Sequence, residues 1–487
     1  MIVSGEVTDL TLDPNTKVYG NKAVCWTGDT HTMFTPDSET ESYRNIYNEL
    51  MGRGGYGGGI SLLCNATDSI DNTDTSIPYS VTFQLNGAQV YNNTAATHGG
   101  GISYVTEQYT DSGSQAEVDR FIKSITIDEG AIYGNSAGVD ENGTITAGNG
   151  GGIYMESGEP SATSKPEKSN TTLNITGGSI YKNTANNGNG GGVYLEGKYA
   201  LCTITGGTIG GSQENANKAT GDRNASDDTL STGRGGGIAI SGGATIDMKV
   251  AEGKTTGGII SYNQAQFQGG GIWLAAKSAE EGSVANSMTL AEGTIQYNKV
   301  TATSTTSANG GGVCVCGEGS FTMTGGIVAH NETPAWGGGL YGCDNAELLM
   351  DKETDAETGG QIYENSGSRG GGIALQGNAK MTIKYGSVYS NHAMTGGGGG
   401  ILATGTYSIV TVEGGSIYSN TANSVSGVMD FVTYLGAGFA SACYGVIIEN
   451  FGYLPMFISW AAVSVLGVLL VLRLVKVQNE EMSKQNV

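Results

Sequence analysis

GGGIALQGNAKMTIKYGSVYSN, residues Gly370–Asn391, is the stretch from which the rest of the chain can be read. It holds three short runs, Ile373–Leu375, Met381–Ile383 and Val388–Ser390, each alternating apolar with small or polar residues. Gly or Asn fences every run, as tight turns between short strands require. Three strands of this length that return on themselves predict one triangular coil of a solenoid. Two fixed phrases then carry the coil along the chain. A Gly triplet followed by Ile, Val or Leu ends at Ile60, Ile102, Ile153, Val193, Ile238, Ile272, Val313, Leu340, Ile373 and Ile401, at intervals of 27 to 51 residues. Between them falls an apolar residue followed three positions later by Asn, from Val90/Asn93 to Ile417/Asn420. Constant phrases at variable spacing mean constant strands and a corner that accepts insertions. Ser157–Asn170, Gln213–Thr232 and Thr301–Asn309, rich in polar residues, read as such surface loops.

Composition agrees with this reading. The 487 residues include 82 Gly and 7 Pro, without the third-residue period of collagen. An apolar fraction of 38% is enough for a thin continuous core of stacked Ile, Val and Leu. The net charge of −22 repels phosphate backbones, so no nucleic-acid partner is expected. Coils about 4.8 Å apart would make a rod on the order of 50 Å long.

Strand periodicity assigns the faces. Positions 1 and 3 after each triplet, such as Ile153/Met155 and Val193/Leu195, should face the core. Position 2 points the other way and carries Tyr154, Tyr194, Trp273 and Tyr341. These rings are either ordinary outer-face ladder residues or a stripe on which sugar rings stack. The corner asparagines, among them Asn135, Asn183, Asn365, Asn391 and Asn420, tolerate left-handed backbone and can ladder their amides between coils. Cys316 and Cys343 share the fourth position after consecutive triplets and form a candidate disulfide, with reduced thiols as the alternative. Cys314-x-Cys316 has no second pair at metal-site spacing, so no metal is expected. Gly253-Lys254-Thr255 lacks the remainder of a phosphate-binding loop, and no cofactor is expected. Asp227-Asp228, His330 and His392 make no catalytic constellation, so catalytic residues are not assigned.

The alternation of Gly-Gly-x-Ile with apolar-x-x-Asn resembles the repeats of polymorphic outer-membrane proteins and related bacterial surface adhesins. The similarity covers about Gly54–Asn423, with Ile or Val where those repeats usually carry Phe. It implies an all-β, right-handed parallel β-helix of the pectin-lyase-like class, and a glycan or host cell-surface ligand as partner. Polysaccharide lyases and hydrolases share that architecture, so an enzymatic alternative stays open.

After Asn423 the composition changes abruptly. Val428–Ile448 contains one charge, Asp430, and Leu454–Leu472 contains none over 19 residues. Each is long enough to cross a bilayer, so a C-terminal two-helix transmembrane hairpin is expected, with membrane lipid as partner. Arg473, Lys476 and Lys484 place the C-terminus on the cytoplasmic side. Asp430 is an intramembrane acid or an acid at a helix N-terminus. Gly427–Gly438 and Phe451–Phe457 resemble the last two helices of major facilitator superfamily transporters of the sugar-phosphate type. That likeness spans about 50 residues and implies transport only if ten further helices come from elsewhere. The junction reads as a gene fusion or a misjoined reading frame. Met1–Lys17 shows no secretory signal, which leaves the side of the β-helix ambiguous.

The expected organisation is therefore an N-terminal segment with a capping helix at Ser38–Met51 over 1–53, a β-helix over 54–423, two spans over 424–475 and a polar tail over 476–487. The expected function is non-enzymatic: an adhesin-like or carbohydrate-binding β-helix attached to a membrane.

Overall fold

Each Gly triplet hands the chain to a strand that lies directly above its counterpart in the previous coil. In the computed structural model the described residues are 1–5, 7–24, 55–64, 79–106, 121–157, 171–221, 232–276, 284–302, 307–354, 356–423 and Arg473. They form an all-β solenoid of parallel sheets, the arrangement of a parallel β-helix. The strands after the triplets build one 11-stranded sheet, from Ile2–Gly5 through Ile60–Cys64 to Ile401–Thr404. The register is one of like on like: Ile238 pairs with Ile272, and Ile272 with Val313.

In the coil at Gly370 the second and third strands are Lys380–Ile383 and Ser387–Tyr389, and a two-residue strand, His392–Ala393, completes the turn. Their counterparts stack coil on coil in the same way. Parallel strands covered on the core side read as Ile, Val and Leu at alternate positions. Ile153, Met155, Val193, Leu195, Ile272 and Leu274 are accordingly all fully buried in one continuous core. Ile417, in the last described coil, stands in register with fully buried Val388, yet it is 44% exposed.

The solenoid begins earlier than Gly54. Ile2–Gly5, Val7–Leu12, Lys17–Tyr19 and Lys22–Ala23 pair in parallel with the next coil and form a first coil of their own. In this coil Val18-x-x-Asn21 carries the corner phrase. The capping helix expected at Ser38–Met51 lies outside the described residues. So do both expected membrane spans and Asp430. Among the described residues no helix is long and apolar enough to cross a membrane.

A column of asparagines ties the coils together, one per coil from Asn21 to Asn420. Asn135 donates its N–H and one Nδ2–H to Asn183 Oδ1, both at 3.0 Å. Its Nδ2 also donates to the Val90 carbonyl at 2.9 Å. Asn365 does the same to Asn391 and Val328, and Asn391 to Asn420 and Ile362. Asn217 belongs to this column too. It escapes the apolar-x-x-Asn rule because a short helical turn, Gln213–Asn215, is inserted after Ile209. Its visible signal is Asn217-Lys-Ala219, the partner of Asn183-Thr-Ala185.

Candidate functional site

Tyr154, Tyr194, Trp273 and Tyr341 lie in one line on the outer side of the 11-stranded sheet, with Ala239 and Cys314 either side of Trp273 and Ala374 after Tyr341. They are not the open stacking stripe that their outward direction suggests, because none is more than 6% exposed. Pointing away from the core does not mean facing water here. Tyr56 and Trp336 pack against the line, forming a second apolar cluster. Within it Tyr154 OH donates to Glu196 Oε2 at 3.0 Å, Tyr194 OH pairs with Ser241 Oγ at 2.9 Å, and the Arg234 guanidinium lies 4.8 Å from the Trp273 ring. Burial holds the Tyr154, Tyr194 and Tyr341 phenols above their ordinary range, and burial likewise raises the Glu196 carboxyl. Among the described residues these rings pack within this cluster, and Tyr341 also lines a recess of about 490 Å³ with Asp344 and Gln376.

The candidate disulfide is not formed: Cys316 and Cys343 are thiols, as are Cys202 and Cys314. Cys314 Sγ lies 3.6 Å from Cys316 Sγ, and Cys316 shares thiol hydrogen bonds with both Cys314 and Cys343. Those bonds hold the Cys316 thiol well below its usual range and the Cys343 thiol well above it. Cys202 is a core residue whose thiol burial pushes up to about 12. Among the described residues no group of His, Cys, Asp and Glu is arranged to hold a metal ion.

His98 closes the second cluster at its N-terminal end. Its ring stacks on Tyr154 at 4.7 Å, meets Tyr56 edge-on at 4.9 Å, and accepts the Asn149 N–H at Nδ1, 2.8 Å away. Burial depresses its pKa from 6.5 to about 4. The folded state therefore keeps the neutral ring while the unfolded chain takes up a proton below pH 6.5. Stability should be full above pH 6.5 and fall by about 3 kcal/mol as pH drops to 4. Urea titrations of the full chain at stepped pH should show that loss, reduced in His98→Gln; identical pH dependence in the variant would contradict it.

The exposed aromatic surface lies elsewhere, on the outer side of the third strands. Tyr19, Tyr91, Tyr133 and Tyr181 stack with centroids 4.9–5.0 Å apart and planes within 5°. Tyr363, Tyr389 and Tyr418 form a second stack in the same register position. Between the two stacks that position is Gly210, Ser261, Gln296 and Ala329. The next residue in these coils is a corner with positive φ: Gly211 at 120°, Tyr262 at 59°, Tyr297 at 55° and His330 at 55°. Tyr262, Tyr297 and His330 stack there at 4.8 and 4.6 Å, so the line of rings steps one residue sideways. His330 then meets Tyr363 edge-on and brings the line back. Among the described coils, that of Gly210-Gly211 alone supplies a ring at neither position.

One rung of the ladder is thus missing. At that level lies a recess of about 500 Å³, bordered by Tyr181 on one side and Tyr262 on the other, with Gly210 and Gly211 beneath. Ser179, Thr208, Asn215 and Gln296 bring hydroxyl and amide groups to it, and none of its lining residues is charged.

No family model, no curated protein and no solved structure matches this chain. The functional reading therefore rests on the chain's own residues.

Sequence reasoning passes over this ladder because the apolar-x-x-Asn phrase leaves its second position unread. That position is Tyr in Ile132-Tyr133, Ile180-Tyr181, Ile362-Tyr363, Val388-Tyr389 and Ile417-Tyr418. His330 and His392 do not come together as a catalytic pair. His330 sits at the corner against Glu364 at 3.2 Å, and His392 Nδ1 lies 2.8 Å from Thr421 Oγ1 in the short closing strand. Asp227-Asp228 lies outside the described residues.

Proposed function

We propose that the chain is a non-enzymatic, adhesin-like carbohydrate-binding protein. In this reading the solenoid winds right-handed, in the pectin-lyase-like manner, and the two apolar C-terminal segments hold it at a membrane. The observation that carries the proposal is the ladder of partly exposed rings on one side of the solenoid, interrupted at one rung where a ring face lies beside hydroxyls and amides. Aromatic rings bury the apolar face of a sugar at little entropic cost, while neutral polar groups satisfy its hydroxyls. Small-molecule sites combine apolar surface with a few placed polar groups in this way. The Glu196 carboxyl, raised by burial, accepts a hydrogen bond from the Tyr154 hydroxyl.

The test is the full-length chain in detergent on an array of neutral and acidic oligosaccharides, followed by incubation with whatever it retains. The expected result is retention of glycans with no new reducing or unsaturated sugar ends. Accumulation of such ends would replace this reading with a polysaccharide lyase or hydrolase.

A further inference from the structure

If the chain binds carbohydrate, as proposed above, one place on the ladder is built to hold a sugar ring, and its assignment rests on that reading. Inside a stack, each ring has both faces covered by its neighbours 4.9–5.1 Å away and offers only an edge. An edge is a poor platform for a sugar, whose C–H face needs the flat of the ring. Away from the ladder's ends, a free face exists where a rung is missing.

Tyr181 stacks on Tyr133 with one face. On the other side the strand pairing ends at Ile180–Ile209, Gly210 follows with no side chain, and the inserted turn brings the Asn215 carbonyl to the Lys182 N–H at 3.0 Å. Tyr181 and Tyr262 stand two coils apart, about 10 Å along the solenoid axis. A ring stacked on Tyr181 at the ordinary contact distance of about 3.5–4.0 Å would occupy the level of the missing rung. Gly210 is fixed for the same reason: a Cβ there would lie against the Ser261 carbonyl, and its φ is +100°. Residue 210 therefore cannot supply the missing ring without moving the backbone.

We infer that the recess between Tyr181 and Tyr262 binds one neutral pyranose residue of an oligosaccharide, stacked on the free face of Tyr181. Ser179 and Thr208 present hydroxyls, and Asn215 and Gln296 present amides that can donate and accept at once, which matches a ring of hydroxyl groups. The absence of any charged lining residue, on a chain of net charge −22, disfavours uronic and sialic acids. A flat aromatic compound would leave those amides and hydroxyls without partners.

The experiment measures binding of maltoheptaose, cellohexaose and mannohexaose, with a polygalacturonate oligomer and free tryptophan as comparisons, to the full-length chain. Four variants accompany it: Tyr181→Ala, Tyr181→Phe, Thr208→Trp to fill the recess, and Tyr389→Ala in the distant stack. The expected result is binding of a neutral oligosaccharide that Tyr181→Ala and Thr208→Trp each weaken about tenfold or more. Tyr181→Phe and Tyr389→Ala should leave it within about threefold. Binding that survives both Tyr181→Ala and Thr208→Trp would overturn this site while leaving the carbohydrate reading intact. Preference for polygalacturonate or tryptophan would overturn the ligand class. Failure to bind any oligosaccharide would overturn both.

Discussion

Asn298→Ala is expected to lower the unfolding free energy by about 4 kcal/mol, far more than removing one small polar side chain from a protein surface. Asn298 is fully buried and sits mid-column. Its Oδ1 accepts both the N–H and an Nδ2–H of Asn263, at 3.0 and 2.9 Å. Its Nδ2 donates to the Ile260 carbonyl at 2.9 Å and to Asn331 Oδ1 at 3.0 Å. Alanine would leave three groups without these partners in a place water does not reach: the Asn263 N–H, one Asn263 amide hydrogen and the Ile260 carbonyl. Each such group costs about 1–3 kcal/mol. Asn298→Asp should be at least as harmful at neutral pH, since it removes both donors and buries a charge. Urea denaturation of the full chain measures the effect, and a loss below about 1 kcal/mol would show that the column is decorative.

Gly270→Ala is expected to cost about 4 kcal/mol, at the top of what one added methyl does in a packed interior. A Cβ on Gly270 would meet the Gly311 carbonyl oxygen and the backbone of Lys299, at 2.6 Å to the Lys299 nitrogen. Both obstacles are backbone, so no side-chain rotation relieves them. The coils would have to part, and that would break the parallel ladder on either side. The same contact recurs at the middle glycine of other triplets: Gly191 meets Lys218 backbone at 2.5 Å, and Gly236 meets Gln264 backbone at 2.5 Å. Gly143→Ala is the control. Its φ is +82° but nothing lies within 4 Å, so only the backbone conformation resists, at about 1 kcal/mol. Equal losses in the two variants, by urea midpoint, would mean that the triplets are kept for turn geometry rather than for close approach.

The parallel all-β solenoid is legible in the sequence because two of its constraints admit so few residues. Only glycine fits where the corner of one coil rests on the backbone of the next, and the buried column accepts only asparagine without orphaning a donor. Those demands print the triplets and the apolar-x-x-Asn phrase. The coil that contains Ile2–Gly5 is harder to see, since Asn21 alone marks it. Asn217 is hidden by an insertion that stretches its spacing from Ile209.

The candidate site is less legible for a different reason. Strand periodicity tells which way Tyr154, Tyr194, Trp273 and Tyr341 point, but not what packs over them. Tyr56 and Trp336 come from turn segments whose path a period-2 pattern does not encode. The exposed ladder does leave a sequence trace, in the ring that precedes a corner or, at Tyr262, Tyr297 and His330, occupies it. Its break is written as an absence, Gly210-Gly211 where Tyr181-Lys182 stands one coil earlier. Reading an absence requires the register first.

The most direct test is an electron cryomicroscopy structure of the full-length chain at a resolution that shows side-chain amides. The asparagines from Asn21 to Asn420 are predicted to stand in one unbroken column, each amide within hydrogen-bond distance of the next, with every Gly triplet above the last. Triplets that fail to superpose along the axis, or asparagines pointing to solvent, would contradict the stacked-coil solenoid.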